Sequence, residues 1–151
     1  MEMGMSEFRQ ITEGFCKQAG IGDSLSIVKG NAFSIHGCLA WLHYLPETDG
    51  CRVILDLGQP RHGFPPTLLR MMLEFNCANE SRYCPTLGIN QKDGHALLML
   101  HPTVSGLRKA TDLYTLLELQ LKPVISAWTA CFDAVDIDNM ETPVLLDRGF
   151  V

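Results

Sequence analysis

Apolar positions recur along this chain with two periods, and these divide it into helical and extended segments. From residue 6 to residue 19, Phe8, Ile11, Phe15 and Ala19 are spaced by three, four and four, which predicts an amphipathic helix capped by Ser6. Glu13 and Lys17 form an i, i+4 pair on its polar side, and Gly20 and Gly22 end it. A short mixed stretch, 25–28, leads to the turn signal Lys29-Gly30-Asn31. The period then falls to two. Phe33, Ile35, Leu39, Trp41, His43 and Leu45 share one parity, which predicts two strands broken near Gly37 with these residues on one side. A loop closing on Asp49-Gly50 gives way to a strand over 51–57, where Val53, Leu55 and Leu57 oppose Ile54.

Beyond a loop rich in proline and glycine, Pro65-Pro66 opens a second helix over 67–76. Leu68, Leu69, Met71, Met72, Leu73 and Phe75 sweep an apolar arc of roughly 200°, about twice what an ordinary surface helix needs. Only Arg70 and Glu74 mark a polar edge, so the excess requires an enveloping core or a second subunit. Two short strands, 86–90 and 96–100, flank the turn 91–94. A long helical pattern then carries Leu107, Ala110, Leu113, Tyr114, Leu117, Leu121, Ile125 and Trp128, with Ser105 as its cap. Pro123 interrupts it, and a kink or break is expected just before that residue, because proline removes one ladder bond and collides with the carbonyl four residues back. The order α-β-β-β-α-β-β-α predicts an α+β protein with an antiparallel sheet of about five strands and three helices.

Composition narrows the class. With 151 residues, 46% apolar and 19% charged, the chain is long enough for one domain with a real core. No apolar run approaches a membrane span, and the N-terminus has neither a basic nor an apolar leader region, so a cytoplasmic location is expected. The net charge is −5, and Asp133, Asp136, Asp138, Glu141 and Asp147 against Arg148 place four of those five charges after residue 132. We therefore expect a domain over 1–132 and an acidic, mobile tail over 133–151. An acidic chain without a basic patch does not suit nucleic acid.

Motifs that would name an enzyme are missing: no phosphate-cradling loop, no H-E-x-x-H, no G-x-S-x-G and no dinucleotide fingerprint. The sequence therefore predicts no enzyme, no cofactor and no metal. The six cysteines contain no C-x-x-C pair and read as buried free thiols. Two weaker constellations remain. The nearest thing to a ligand set is His36, Cys38, His43 and Cys51, of which His36 and Cys38 share a strand face as zinc would require while His43 lies on the opposite parity from both. Cys84 with His95 or His101 could form a thiol–imidazole pair. What the chain offers in excess is apolar surface: Leu39 and Trp41 face one side of the sheet while Leu42 and Tyr44 face the other, and such patches usually meet a protein partner.

Taken in order, several of these stretches resemble the class I chaperones of bacterial type III secretion, typified by the chaperone of the translocated intimin receptor. The resemblance runs from about Phe8 to about Trp128. It rests on the helix ended by Ile21-Gly22, the strand Phe33-Ser34-Ile35-His36-Gly37, the helix ending Met72-Leu73-Glu74-Phe75-Asn76, the strand Leu87-Gly88-Ile89, the turn Asp93-Gly94 and the helix carrying Trp128. Pro123 and the long acidic tail depart from the family pattern. The resemblance implies a homodimer seamed on the middle helix through Leu68, Leu69, Met72 and Phe75. It also implies an effector surface drawn from Phe8, Ile11, Phe15, Phe33, Ile35, Leu39 and Trp41. The function implied is to bind the non-globular N-terminal region of a secreted effector and keep it soluble and export-ready without ATP, with the secretion apparatus as a further partner. The competing readings are a small α+β ligand-binding domain or thiol-dependent enzyme, and a structural dimer module.

Overall fold

The computed structural model describes residues 2–78, 83, 85–107 and 110–149, with side chains left aside at 2–3, 110–111 and 139–149. Helix α1 (Glu2–Ala19) begins four residues before the expected cap, so Ser6 lies inside it. Its end follows the sequence signal closely. Gly20 takes φ +74°, and the Ile21 N–H returns to the Cys16 carbonyl at 2.9 Å, a six-to-one bond made possible by that left-handed residue. The mixed stretch after it forms a further short helix, α2 (Ser24–Val28), because the Asp23 carboxylate accepts from the Ser26 N–H at 3.1 Å and so caps it.

Five strands follow: β1 (Phe33–Ile35), β2 (Cys38–Leu45), β3 (Gly50–Gly58), β4 (Thr86–Ile89) and β5 (Ala96–Leu100). They form one antiparallel sheet in the order β1-β2-β3-β5-β4. The chain is thus α+β with the expected antiparallel five-stranded sheet. The parity expected across β1 and β2 is corrected. His36 (φ +49°) and Gly37 (φ +78°) make a two-residue turn with both central residues left-handed, the tight connection that suits strand twist. Across it Phe33 faces Ala40 and Ile35 faces Cys38, so odd residues of β1 share a side with even residues of β2. Phe33, Ile35, Cys38, Ala40 and Leu42 are buried together, while Leu39 and Trp41 lie on the other face.

The inner face continues through Val53, Leu55 and Leu57, then Leu98, Leu100 and Leu87, all buried. Helix α1 packs onto it with Phe8 stacked on Tyr44 (5.6 Å between ring centroids) and Phe15 edge-on to Phe33 (5.9 Å). Helix α3 (Pro66–Ala78) lies beside β4 and buries Leu68 and Met72.

The C-terminal helical region is assembled from pieces. A 3₁₀ turn, Ser105–Leu107, is closed by Thr103, whose hydroxyl accepts from the Gly106 N–H at 3.1 Å; Thr103, not Ser105, takes the capping place. Then come α4 (Ala110–Tyr114), a π-helical turn over Thr115–Gln120, and α5 (Leu121–Gly149). The Leu121 N–H reaches back five residues to Leu116. The disturbance expected before Pro123 is therefore a widening of the ladder, not a break, and α5 runs on through the proline. The position 132/133 falls within α5, where the Asp136 carboxylate accepts from the Arg61 N–H at 2.8 Å and ties the β3–α3 loop to the helix.

Candidate protein-interaction surface

The side chains expected to contact a partner separate into two groups in the single chain. Phe8, Ile11, Phe15, Phe33 and Ile35 are buried in the core, held by α1 against the inner face of the sheet. Leu39 and Trp41 are placed differently. Leu39 is 50% exposed, and Trp41 is partly exposed in a row of cross-strand neighbours, Trp41–Ile54–Met99, that crosses three strands on the outer face. Met99 also folds over Gly88, where an added Cβ would stand 3.2 Å from its terminal methyl. Leu97, partly exposed, extends the same surface. A contiguous apolar patch left at a sheet surface without full burial marks a surface suited to contact with another chain.

The middle helix divides as well. Leu68 and Met72 belong to the core of the single chain, and Phe75 packs edge-on against Trp128 with ring centroids 5.5 Å apart. Leu69 and Leu73, the latter 69% exposed, stand on one flank of the buried stripe and exposed Met71 on the other, so the apolar arc does exceed what the monomer covers. Met71 and Leu73 belong to the apolar arc but not to the seam that the resemblance implies. Their signal was the width of the arc, which says that a second side exists but not which residues lie on it.

The possible chemical centres are structurally engaged. The His36 imidazole lies 3.0 Å from the Leu117 carbonyl oxygen and 3.5 Å from Glu118, so it spans from the β1–β2 turn to the π-helical turn. Arg52 Nε donates to His101 Nε2 at 3.1 Å. Burial pushes the Cys51 thiol up to about 12, and burial followed by nearby carboxylates raises Cys16 and Cys38, so all three are poor nucleophiles. Cys84 lies outside the described residues. Among the described residues His36, Cys38, His43 and Cys51 do not converge; the group of three donors found close together is Asp56, Asp93 and His95. There His95 Nδ1 sits 3.0 Å from both Asp56 carboxylate oxygens, while Asp56 also accepts from the Gly58 N–H at 2.8 Å across a β-bulge. The Asp56 hydrogen bond raises the His95 pKa against the lowering effect of burial, and the charges of Asp56 and Asp93 add to the rise. A shallow apolar hollow between β5 and the π-helical turn is lined by Leu100, Leu116, Leu121 and Val124. Among the described residues no helix is long and apolar enough to cross a membrane.

No family model and no curated protein matches the chain. Solved structures do. The chain is similar to one in the crystal structure of the ExsC-ExsE complex, with a TM-score of 0.67 at 14% identity over 83% of this chain and 93% of that one. It is also similar to a chain of the HopA1-SchA chaperone-effector complex (TM-score 0.58, 16% identity, 86% and 98% covered). A third is the ExoT-SpcS complex from Pseudomonas aeruginosa (TM-score 0.53, 17% identity, 78% and 94% covered). All three are complexes of two proteins, the HopA1-SchA one a chaperone with its effector, and at such identities the likeness is one of fold.

Proposed function

We propose that this chain is a class I type III secretion chaperone, which binds the non-globular N-terminal region of a secreted effector and keeps it soluble and competent for export without ATP. The observation that carries this reading is the outer-face row Trp41–Ile54–Met99 with half-exposed Leu39, set in the fold shared with chaperone–effector complexes. An extended segment suits such a surface, because alternate side chains can fill apolar hollows while the backbone pairs along an edge. Ordering such a segment on binding costs free energy, which keeps affinity moderate for the area buried and leaves the segment releasable. Leu39 and Trp41 are the contact residues on this reading. Phe8, Ile11, Phe15, Phe33 and Ile35 support them from the core and would reach an effector only by giving up that packing.

The same reading makes the protein a cytoplasmic homodimer. Leu69 and Leu73, one turn apart on α3, are the exposed side of the seam, with Leu68, Met72 and Phe75 behind them, while Met71 lies across the buried stripe from this pair. An isologous patch on one helix closes by a two-fold axis without further surface.

Co-expression with the product of the adjacent gene tests the function. A stoichiometric complex should co-purify, and Leu39→Asp combined with Trp41→Ala should weaken it at least about tenfold, as loss of a central aromatic anchor does, with the unfolding temperature held. Absence of a complex, or a double variant that binds like the wild type, overturns the reading.

A further inference from the structure

The two edges of the sheet are finished differently. Strand order places β1 at one end and β4 at the other. In β4, Leu87 stands opposite Leu98, and its backbone groups turn away from β5. Both are taken by one side chain: the Leu87 N–H donates to Asn76 Oδ1 at 2.6 Å, and Asn76 Nδ2 donates to the Leu87 carbonyl at 2.9 Å. A primary amide can present one of its two N–H donors beside its carbonyl acceptor, much as a peptide group does, so Asn76 fills the place of a neighbouring strand. The next outward position, Ile89, is 44% exposed.

At the other edge, the two-residue turn makes Ile35–Cys38 and Phe33–Ala40 the hydrogen-bonded pairs of the hairpin. The Ser34 N–H and carbonyl therefore point away from β2, and among the described residues nothing bonds to them. Ser34 itself is exposed.

We propose that Asn76 guards the β4 edge against the open β1 edge of a second copy of this chain. Two open edges at opposite ends of one sheet form a heterologous pair, which propagates into an open-ended series of subunits instead of closing. Capping one edge terminates the series at its first member. The inference concerns the chain alone and holds whatever partner the chaperone reading supplies.

Sedimentation of Asn76→Ala from micromolar to millimolar concentration tests it, with folding checked by circular dichroism. The variant should form species whose mean mass climbs with concentration to about twofold or more above the wild type, as open-ended association requires. Adding Ser34→Pro should return the mass to the wild-type value, because proline deletes an outward N–H and leaves the ladder to β2 intact. Asn76→Ser, also too short to span to Leu87, is the second variant. A folded Asn76→Ala that keeps the wild-type mass overturns the proposal, and so does a double variant that associates as strongly as the single one. If neither Asn76 variant folds, Asn76 is a stability residue and the guard role is lost.

Discussion

The imidazole of His36 reaches the carbonyl oxygen of Leu117 at 3.0 Å, joining residues 81 positions apart. The two ends of this contact are both irregular. His36 holds φ +49° in a two-residue turn, and Leu117 lies in a π-helical turn, where the widened ladder changes the partners that carbonyls would otherwise have. His36→Asn should keep the turn, since asparagine tolerates the left-handed region, but its side chain is too short to span the gap. A loss of about 1 kcal/mol in urea unfolding is expected, the ordinary contribution of one such bond. An unchanged midpoint would show that the latch carries no stability.

Thr12 is fully buried in α1, and among the described residues its hydroxyl oxygen finds no hydrogen-bond partner. Valine has nearly the same shape and no polar atom to desolvate. Thr12→Val should therefore stabilise the fold by about 1 kcal/mol. Calorimetry that finds a lower unfolding temperature would mean that the hydroxyl is satisfied in solution.

Stability should depend on pH through His95. Its pKa is raised by the Asp56 hydrogen bond, so the folded protein holds the proton more tightly than the unfolded chain, whose histidines titrate near 6.5. The contribution is fully present below that unfolded value and is lost as pH climbs through the higher folded one. The stability advantage of the wild type over His95→Gln should thus shrink steadily from pH 6 upward, a trend measurable by thermal unfolding in a pH series. An NMR titration midpoint for His95 at or below the unfolded value would contradict this.

Met72 and Leu73 are neighbours in sequence with opposite fates: Met72 is 4% exposed and Leu73 69%. A charge at Met72 enters the core and should destabilise the chain by several kcal/mol. Leu73→Glu should instead leave folding within about 0.5 kcal/mol of wild type while halving the mass seen in light scattering. If Leu73→Glu keeps the mass of a dimer, α3 is not the seam.

Much of this architecture is legible in the residues. Periods of three to four and of two set the long helices and the strands, because the side chains that must be buried recur with the geometry of the backbone. Gly20 ends α1 where its left-handed conformation is needed, and Pro123 leaves its mark three residues upstream. Short elements such as α2 escaped, since one cap and five residues give too little periodicity to see. The sidedness of β1 and β2 escaped for a different reason: a two-residue turn reverses which parity faces inward, and hydropathy alone does not reveal the turn.

The sequence by itself determined that this chain folds as α+β around an antiparallel sheet and carries more apolar surface than one layer of helices can cover. Only the tertiary structure decided which of those apolar residues are spent inside. Phe8, Phe15 and Phe33 read the same as Leu39 and Trp41 along the chain, yet the first three are buried in one core, Phe15 against Phe33 and Phe8 against Tyr44, while the last two are not. Likewise Asn76 was a letter in a helix ending until the fold set it against Leu87. Burial and edge pairing depend on residues distant in sequence, so neither is written in the local pattern.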